Sequence, residues 1–293
     1  MKKNVKVVLV NLISEDYLAR YQAPLAVNML SAYFCSVCPG IKISTIDMQD
    51  VFKNQDNEQG TIDEMFVKTL EAVVKELVSA CSKGKTIIGL SVKWSTQEVA
   101  GQIIGMVRQS TVNSQPLFVI GNIGSTHGYR ELLIQKTFAD IVAVVGEGEE
   151  ALVEIAMIAS QTHDNFRDVA KYKNVVNVAV NLDNIIHVSE LRRMDLESYP
   201  ALVNVNPSDI YDQDWDVYAI ETSRGCPWGK CTFCSIKKQF GASDQCGNHD
   251  LNWRWRAFSM AKVLGDISGF ARQGVRRFDI KDSEFFGSVS TAE

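Results

Sequence analysis

Residues 117–150 read LFVIGNIGSTHGYRELLIQKTFADIVAVVGEGEE, and this stretch decides the fold. Two apolar runs, 117–123 and 140–146, are continuous rather than alternating, as in strands covered on both faces. A helical pattern over 129–137 separates them, and each run ends in glycines and polar residues. The same unit recurs upstream. KVVLVNL (6–12), KISTIDM (42–48) and TIIGLSV (86–92) are further strands, with helical patterns near 23–36, 61–82 and 96–110 and one more at 149–160. Thr61 followed by Glu64 is a capping box that opens the second helix. Strands alternating with helices predict an α/β fold, a doubly wound parallel sheet of five strands, because neighbouring parallel strands need a crossover helix between them.

Ligands of such sheets bind at the carboxyl ends of the strands. The residues expected there are small or polar: Ser91, Lys93, Trp94 and Ser95 after the third strand, Gly121 to Gly128 after the fourth, and Gly146 to Glu150 after the fifth. Glycine at these turns allows backbone to approach a large ligand, or serves an ordinary tight βα turn.

Beyond the sheet, residues 174–190 hold two short apolar runs around Asn181-Leu182-Asp183-Asn184, a hairpin signal. The next stretch, through Asp216, is rich in turn-formers and reads as a linker. The boundaries expected are 1–162 for the sheet domain, 163–212 for hairpin and linker, and 213–293 for a further α/β segment. That segment opens with the strand VYAIETS (217–223), followed by a helix near 257–273 and a strand in VRRFDIK (275–281).

Between strand and helix lies RGCPWGKCTFCS, residues 224–235, with Cys226, Cys231 and Cys234. Four thiolates close a zinc site or fill a cubane cluster; three in one loop suggest a [4Fe–4S] cluster with one open iron. A zinc knuckle that recruits Cys246 or His249, and a redox pair of Cys231 with Cys234, are the alternatives on spacing.

Bulk composition narrows the function. The chain has 293 residues, 46% apolar and 22% charged, with a net charge of −5, so no polyanion or nucleic-acid partner is expected. No run approaches the ~20 apolar residues of a membrane span. Seven cysteines, three of them in one loop, do not resemble a secreted disulfide framework, which points to the cytoplasm.

SRGCP…CTFCS resembles the cluster loop of radical S-adenosylmethionine (radical SAM) enzymes. With a sheet domain and a GEGE turn (146–149) ahead of it, the chain resembles the B12-binding members of that family over nearly its whole length. It departs from them in two places: four residues rather than three separate Cys226 from Cys231, and GNIGSTHG replaces a GG-P-H-like turn. After the second strand come Asp47 and Asp50 without the histidine that ligates cobalt in many cobalamin proteins, a histidine that members of the radical family often lack too. The resemblance implies a Rossmann-like cobalamin domain followed by the start of a partial (β/α) barrel. It implies that Cys226, Cys231 and Cys234 hold the cluster and that Phe233 packs near the adenine of S-adenosylmethionine. Asp282, Ser283 and Glu284 would hold that cofactor's amino group, and Ser91, Ser95, Gly121, Gly124, Gly146, Glu147 and Gly148 would contact cobalamin. The implied reaction is reductive cleavage of S-adenosylmethionine to a 5′-deoxyadenosyl radical, with methylation of an unactivated carbon as the favoured outcome. An electron donor and a small-molecule or peptide substrate are the implied partners. The barrel is expected to be incomplete at Glu293, so that a second chain would complete it or the chain would act as a non-catalytic corrinoid or cluster module of a split assembly. No catalytic side chain is assigned beyond the cluster ligands. His127 is open between a ligand contact and no role.

Overall fold

A computed structural model describes residues 5–14, 24–55, 60–197, 199–201, 217–228, 231–240 and 255–285. The five expected strands are present: β1 (Val5–Asn11), β2 (Lys42–Asp47), β3 (Lys85–Ser91), β4 (Leu117–Gly121) and β5 (Val142–Val144). All are parallel, in the order β2-β1-β3-β4-β5. Alternate residues of β1 show why its run is apolar throughout. Val8 and Val10 enter a core shared with α3 (Ile62–Cys81), α4 (Gln97–Ser110) and α5 (Asn122–Leu133). Val5, Val7 and Leu9 enter the opposite core, under α1 (Leu25–Val37) and α6 (Glu149–Gln161). The capping box forms as expected, with Glu64 N donating to Thr61 Oγ1 at 3.3 Å and Thr61 N to Glu64 Oε2 at 2.9 Å.

Three local features differ from expectation. The hairpin, β6 (Val178–Leu182) and β7 (Ile185–Val188), pairs antiparallel with β5 and makes the sheet seven-stranded. Its turn uses Asp183 and Asn184 at φ 52° and 66°, which only short polar residues and glycine adopt easily. Pairing removes the open edge that the apolar β5 would otherwise present. Helix α5 starts at Asn122, not 129, so NIGSTHG, residues 122–128, is helical and Gly121 caps it from the end of β4. The cause is tertiary: Ser125 Oγ donates to Val144 O at 2.8 Å, and Gly124 N to Val92 O at 2.9 Å, seating the first turn on the neighbouring strand ends. A short helix, α2 (Met48–Lys53), follows β2, its first turn capped by Asp47 accepting from Gln49 N at 3.1 Å.

The C-terminal part is a βαβ unit. β8 (Val217–Ile220) pairs parallel with β11 (Arg277–Ile280), and α8 (Met260–Arg272) connects them. A two-residue pair, β9 (Ser223–Arg224) with β10 (Arg256–Ala257), braces the chain just before the cysteines, and α7 (Ile236–Phe240) follows them. A third core joins Met29 and Ala32 of α1 to Met194, Tyr199, Tyr218, Phe258 and Phe270. The linker residues 202–216 lie outside the described residues. Among the described residues, no helix is long and apolar enough to cross a membrane.

Candidate functional site

A cavity of about 330 Å³ opens at the carboxyl ends of β3, β4 and β5 and runs down between the sheet and helices α1 and α6. Its depth is apolar: Leu9, Gly89, Val119 and Val144 from the sheet, Val27 and Leu30 from α1, Leu152 from α6. Gly89 makes part of this space. A Cβ there would lie 2.6 Å from Leu9 Cδ2, so any side chain would push Leu9 aside. The mouth carries Ser91, Gly121, Asn122, Gly146 and Gly148. Asn122 Nδ2 donates to Ser91 Oγ at 2.9 Å, and Gly146 turns at φ 85°, where a side chain is strained. Above the mouth stand Ile236, Gln239 and Phe240 of α7 with Lys281 and Ser283, so the cavity lies between the sheet domain and the cysteine-bearing segment.

A buried ion network binds the two together. Arg224, two residues before Cys226, donates from Nη1 to Glu147 at 2.8 Å, from Nη2 to Glu149 at 2.7 Å and from Nε to Glu221 at 2.8 Å. Glu147 also accepts from Arg256 at 3.0 Å and, through its other oxygen, from Met194 N at 2.7 Å. The Arg224 guanidinium faces the rings of Tyr199, Phe240 and Phe258. Burial pushes the Glu147 carboxyl up, but Arg224 and Arg256 outweigh it and hold its pKa below the ordinary value. For Glu221 burial prevails over Arg224 and raises the pKa. Three carboxylates against two guanidiniums leave one negative charge in excess, so the carboxylate least served by donors feels burial most.

Cys226, Cys231 and Cys234 are free, half-buried thiols on one loop. Gly225 at φ 93° sets the direction in which the loop leaves Arg224, and Cys234 N bonds back to Cys231 O at 3.4 Å. Gly229 and Lys230, which carry the extra residue of the first interval, lie outside the described residues, as do Cys246 and His249. Among the described residues, no three His, Cys, Asp or Glu side chains are gathered around one metal-ion position. Phe233 is 89% exposed beside them. His127 reaches across from α5, its Nε2 3.1 Å from Ser235 O.

The structure distributes the sequence-assigned residues unevenly. Ser91, Gly121, Gly146, Glu147, Gly148 and Ser283 line the cavity together. Ser95 is exposed and does not line it. Gly124 does not either: a Cβ there would meet Lys93 C and Val92 O at 2.8 Å, so this glycine permits α5 to pack on the backbone after β3. Asp282 spends its carboxylate on the end of β8. Oδ1 accepts from Thr222 N at 2.7 Å and Ser223 N at 3.1 Å, while Oδ2 accepts from the Ser223 hydroxyl at 2.9 Å and from that of Thr222. Glu284 contributes its backbone carbonyl, which accepts from Ser223 Oγ and Trp255 Nε1. Sequence reading missed Arg224 and Gly89. A glycine inside a strand was a usable signal for the second; nothing in linear spacing ties Arg224 to residues 147 and 149.

A separate polar cluster sits at the ends of β1 to β3. Asn11 Nδ2 donates to Asp47 Oδ1 at 2.9 Å, whereas Asp47 Oδ2 is shut off from solvent without a hydrogen bond. Burial is the main cause that raises the Asp47 pKa from 3.8 to about 6, and burial likewise lowers that of Lys93, against the opposing pull of Asp47.

No protein-family model matches the chain. Among curated proteins it is 21% identical over 271 residues to 4'-phospho-dehydrooxetanocin synthase of Priestia megaterium, which covers 86% of this chain and 32% of that protein. Its fold matches OxsB, a cobalamin-dependent S-adenosylmethionine radical enzyme. The TM-score is 0.70 at 19% identity for the form with aqua-cobalamin bound, and 0.69 at 20% identity for the form with aqua-cobalamin and S-adenosylmethionine bound. In both, 98% of this chain and 35% of OxsB are covered. The chain therefore spans about a third of the length of the proteins it matches. The resemblance to B12-binding radical SAM proteins is thus one of motifs and of overall fold, over nearly the whole of this chain.

Proposed function

We propose that this chain is the cobalamin- and cluster-binding part of a radical SAM enzyme that methylates an unactivated carbon. The observation that carries the reading is the cavity at the strand ends, which opens directly beneath the segment bearing Cys226, Cys231 and Cys234. When bound, a [4Fe–4S] cluster supplies the electron that cleaves S-adenosylmethionine to a 5′-deoxyadenosyl radical, and cobalamin supplies a methyl group. Residues 1–162 would hold the corrinoid, 163–212 connect, and 213–293 carry the cluster.

The chain's own residues support these duties physically. The apolar depth of the cavity, from Leu9 to Leu152, excludes water and suits a flat apolar group, while Ser91 and Asn122 offer polar atoms at the mouth. Backbone at Gly121, Gly146 and Gly148 leaves room for close approach. Cys226, Cys231 and Cys234 supply thiolates for three irons. Phe233 presents an uncovered ring that suits stacking on an adenine, and Ser283 brings a hydroxyl between cavity and cluster loop.

Anaerobic reconstitution with iron and sulfide, metal analysis, and electron paramagnetic resonance (EPR) with and without S-adenosylmethionine test the reading. A [4Fe–4S]⁺ signal that shifts with the cofactor is expected, together with an altered absorption spectrum when hydroxocobalamin is added. Zinc without iron or sulfide would replace the reading with a structural zinc site. A cluster indifferent to S-adenosylmethionine would reduce the chain to a binding module.

A further inference from the structure

Arg224 holds both sides of the junction between cavity and cysteines with a single side chain. It is 5% exposed, and each of its three nitrogens has its own carboxylate. Two of these, Glu147 in the turn between β5 and α6 and Glu149 at the first position of α6, wall the cavity together with Gly146 and Gly148. The guanidinium carbon stands over the Phe240 ring, 5.6 Å from its centroid. Phe240 ends the helix that follows Cys234, and Gly225 at φ 93° is all that separates Arg224 from Cys226. One residue thus grips the cavity wall and touches both flanks of the cysteine loop.

We propose that Arg224 is a positioning residue that couples the cavity to the cysteine loop, so that filling the cavity changes the setting of Cys226, Cys231 and Cys234. The proposal rests on the cobalamin reading for what fills the cavity, but its first part, the anchoring of the loop, does not. The guanidinium suits this task because its donors are fixed in one plane, so displacement of the 147–149 turn displaces the arginine as a body. Burial strengthens each pairing and leaves no water to substitute for a lost partner. A lysine at 224 keeps the charge but, as a single point donor on a flexible stem, cannot hold three carboxylates in one geometry.

The test uses thiol alkylation of the apo protein by iodoacetamide, read cysteine by cysteine by mass spectrometry. Cys38 and Cys81, buried in the sheet domain, report global loosening. In Arg224→Lys the loop cysteines are expected to react at least about fivefold faster than in wild type, with Cys38 and Cys81 unchanged. Glu149→Gln, which takes the charge from one of the three partners, leaves an acceptor oxygen and disturbs folding less, is expected to shift the same cysteines in the same direction by less. Hydroxocobalamin is then added, with its binding measured by equilibrium dialysis. It should change loop reactivity in wild type and lose most of that effect in Arg224→Lys, even at saturation. Unchanged loop rates in both variants, or Cys38 and Cys81 accelerating alongside the loop, would overturn the anchoring role. An equal cobalamin effect in wild type and variant would overturn the coupling. If wild type binds no cobalamin, the cavity reading fails and the coupling with it, while the first comparison still decides whether Arg224 anchors the loop.

Discussion

Gly124→Ala separates two meanings of a glycine at a strand end, ligand approach and helix packing. In the structure a Cβ at 124 would stand 2.8 Å from Lys93 C, 2.8 Å from Val92 O and 2.9 Å from Lys93 O, all backbone atoms that cannot swing away. Overpacking of this kind costs about 1–3 kcal/mol. The gain from replacing glycine in a helix is at most about 1 kcal/mol, and less in the first turn of α5, where 124 lies. A net loss of about 1–2 kcal/mol follows, or several degrees in Tm for a chain of this size. Gly105→Ala is the matched control: it lies inside α4, and a Cβ there meets nothing within 4 Å. It should therefore gain about 0.5–1 kcal/mol from backbone entropy alone. Urea and thermal unfolding followed by circular dichroism would measure both. Opposite signs are expected. A Gly124→Ala protein as stable as Gly105→Ala would refute the packing role and return Gly124 to the ligand.

Gly89→Ala would push Leu9 into the cavity. Corrinoid affinity by equilibrium dialysis is expected to fall about tenfold, roughly 1.4 kcal/mol, with the unfolding midpoint little changed; unchanged affinity would place the ligand elsewhere. Asp47 makes stability depend on pH. Its folded pKa, about 6, lies above the ordinary 3.8, so between these values the folded state keeps a proton that the unfolded chain has released. Stability should fall by about 2 kcal/mol as pH rises from 4 to 7, and Asp47→Asn should flatten that slope in urea titrations across this range. Asp282→Ala strands two backbone N–H groups and the Thr222 hydroxyl at the end of β8, while Ser223 Oγ keeps the Glu284 carbonyl, at an expected cost of about 3 kcal/mol. Asp282→Asn should recover more than half, because its carbonyl still accepts from Thr222 N and Ser223 N; equal loss in both would show that charge rather than hydrogen bonding is what matters there.

Much of the architecture was legible because it is written in local periodicity. Continuous Val- and Ile-rich runs such as VVLV at 7–10 mark strands buried on both faces, Thr61 and Glu64 mark a helix start, and Asp183-Asn184 marks a hairpin turn. Each signal depends on neighbours a few residues apart, where backbone geometry and side-chain burial act directly. The three cysteines were legible for the same reason, being one loop. Tertiary structure alone decided the rest. It carried α5 back to Asn122, because the carbonyls of Val92 and Val144 accept from its first turn. It placed the hairpin on β5, and it turned Gly124 and Asp282 to packing and strand-end bonding while Gly89 opened a cavity. Above all it set Arg224 on Glu147 and Glu149, 77 and 75 residues away, which no spacing encodes. Pairing between buried charges is determined by which chain segments burial brings together, and that is a property of the folded whole.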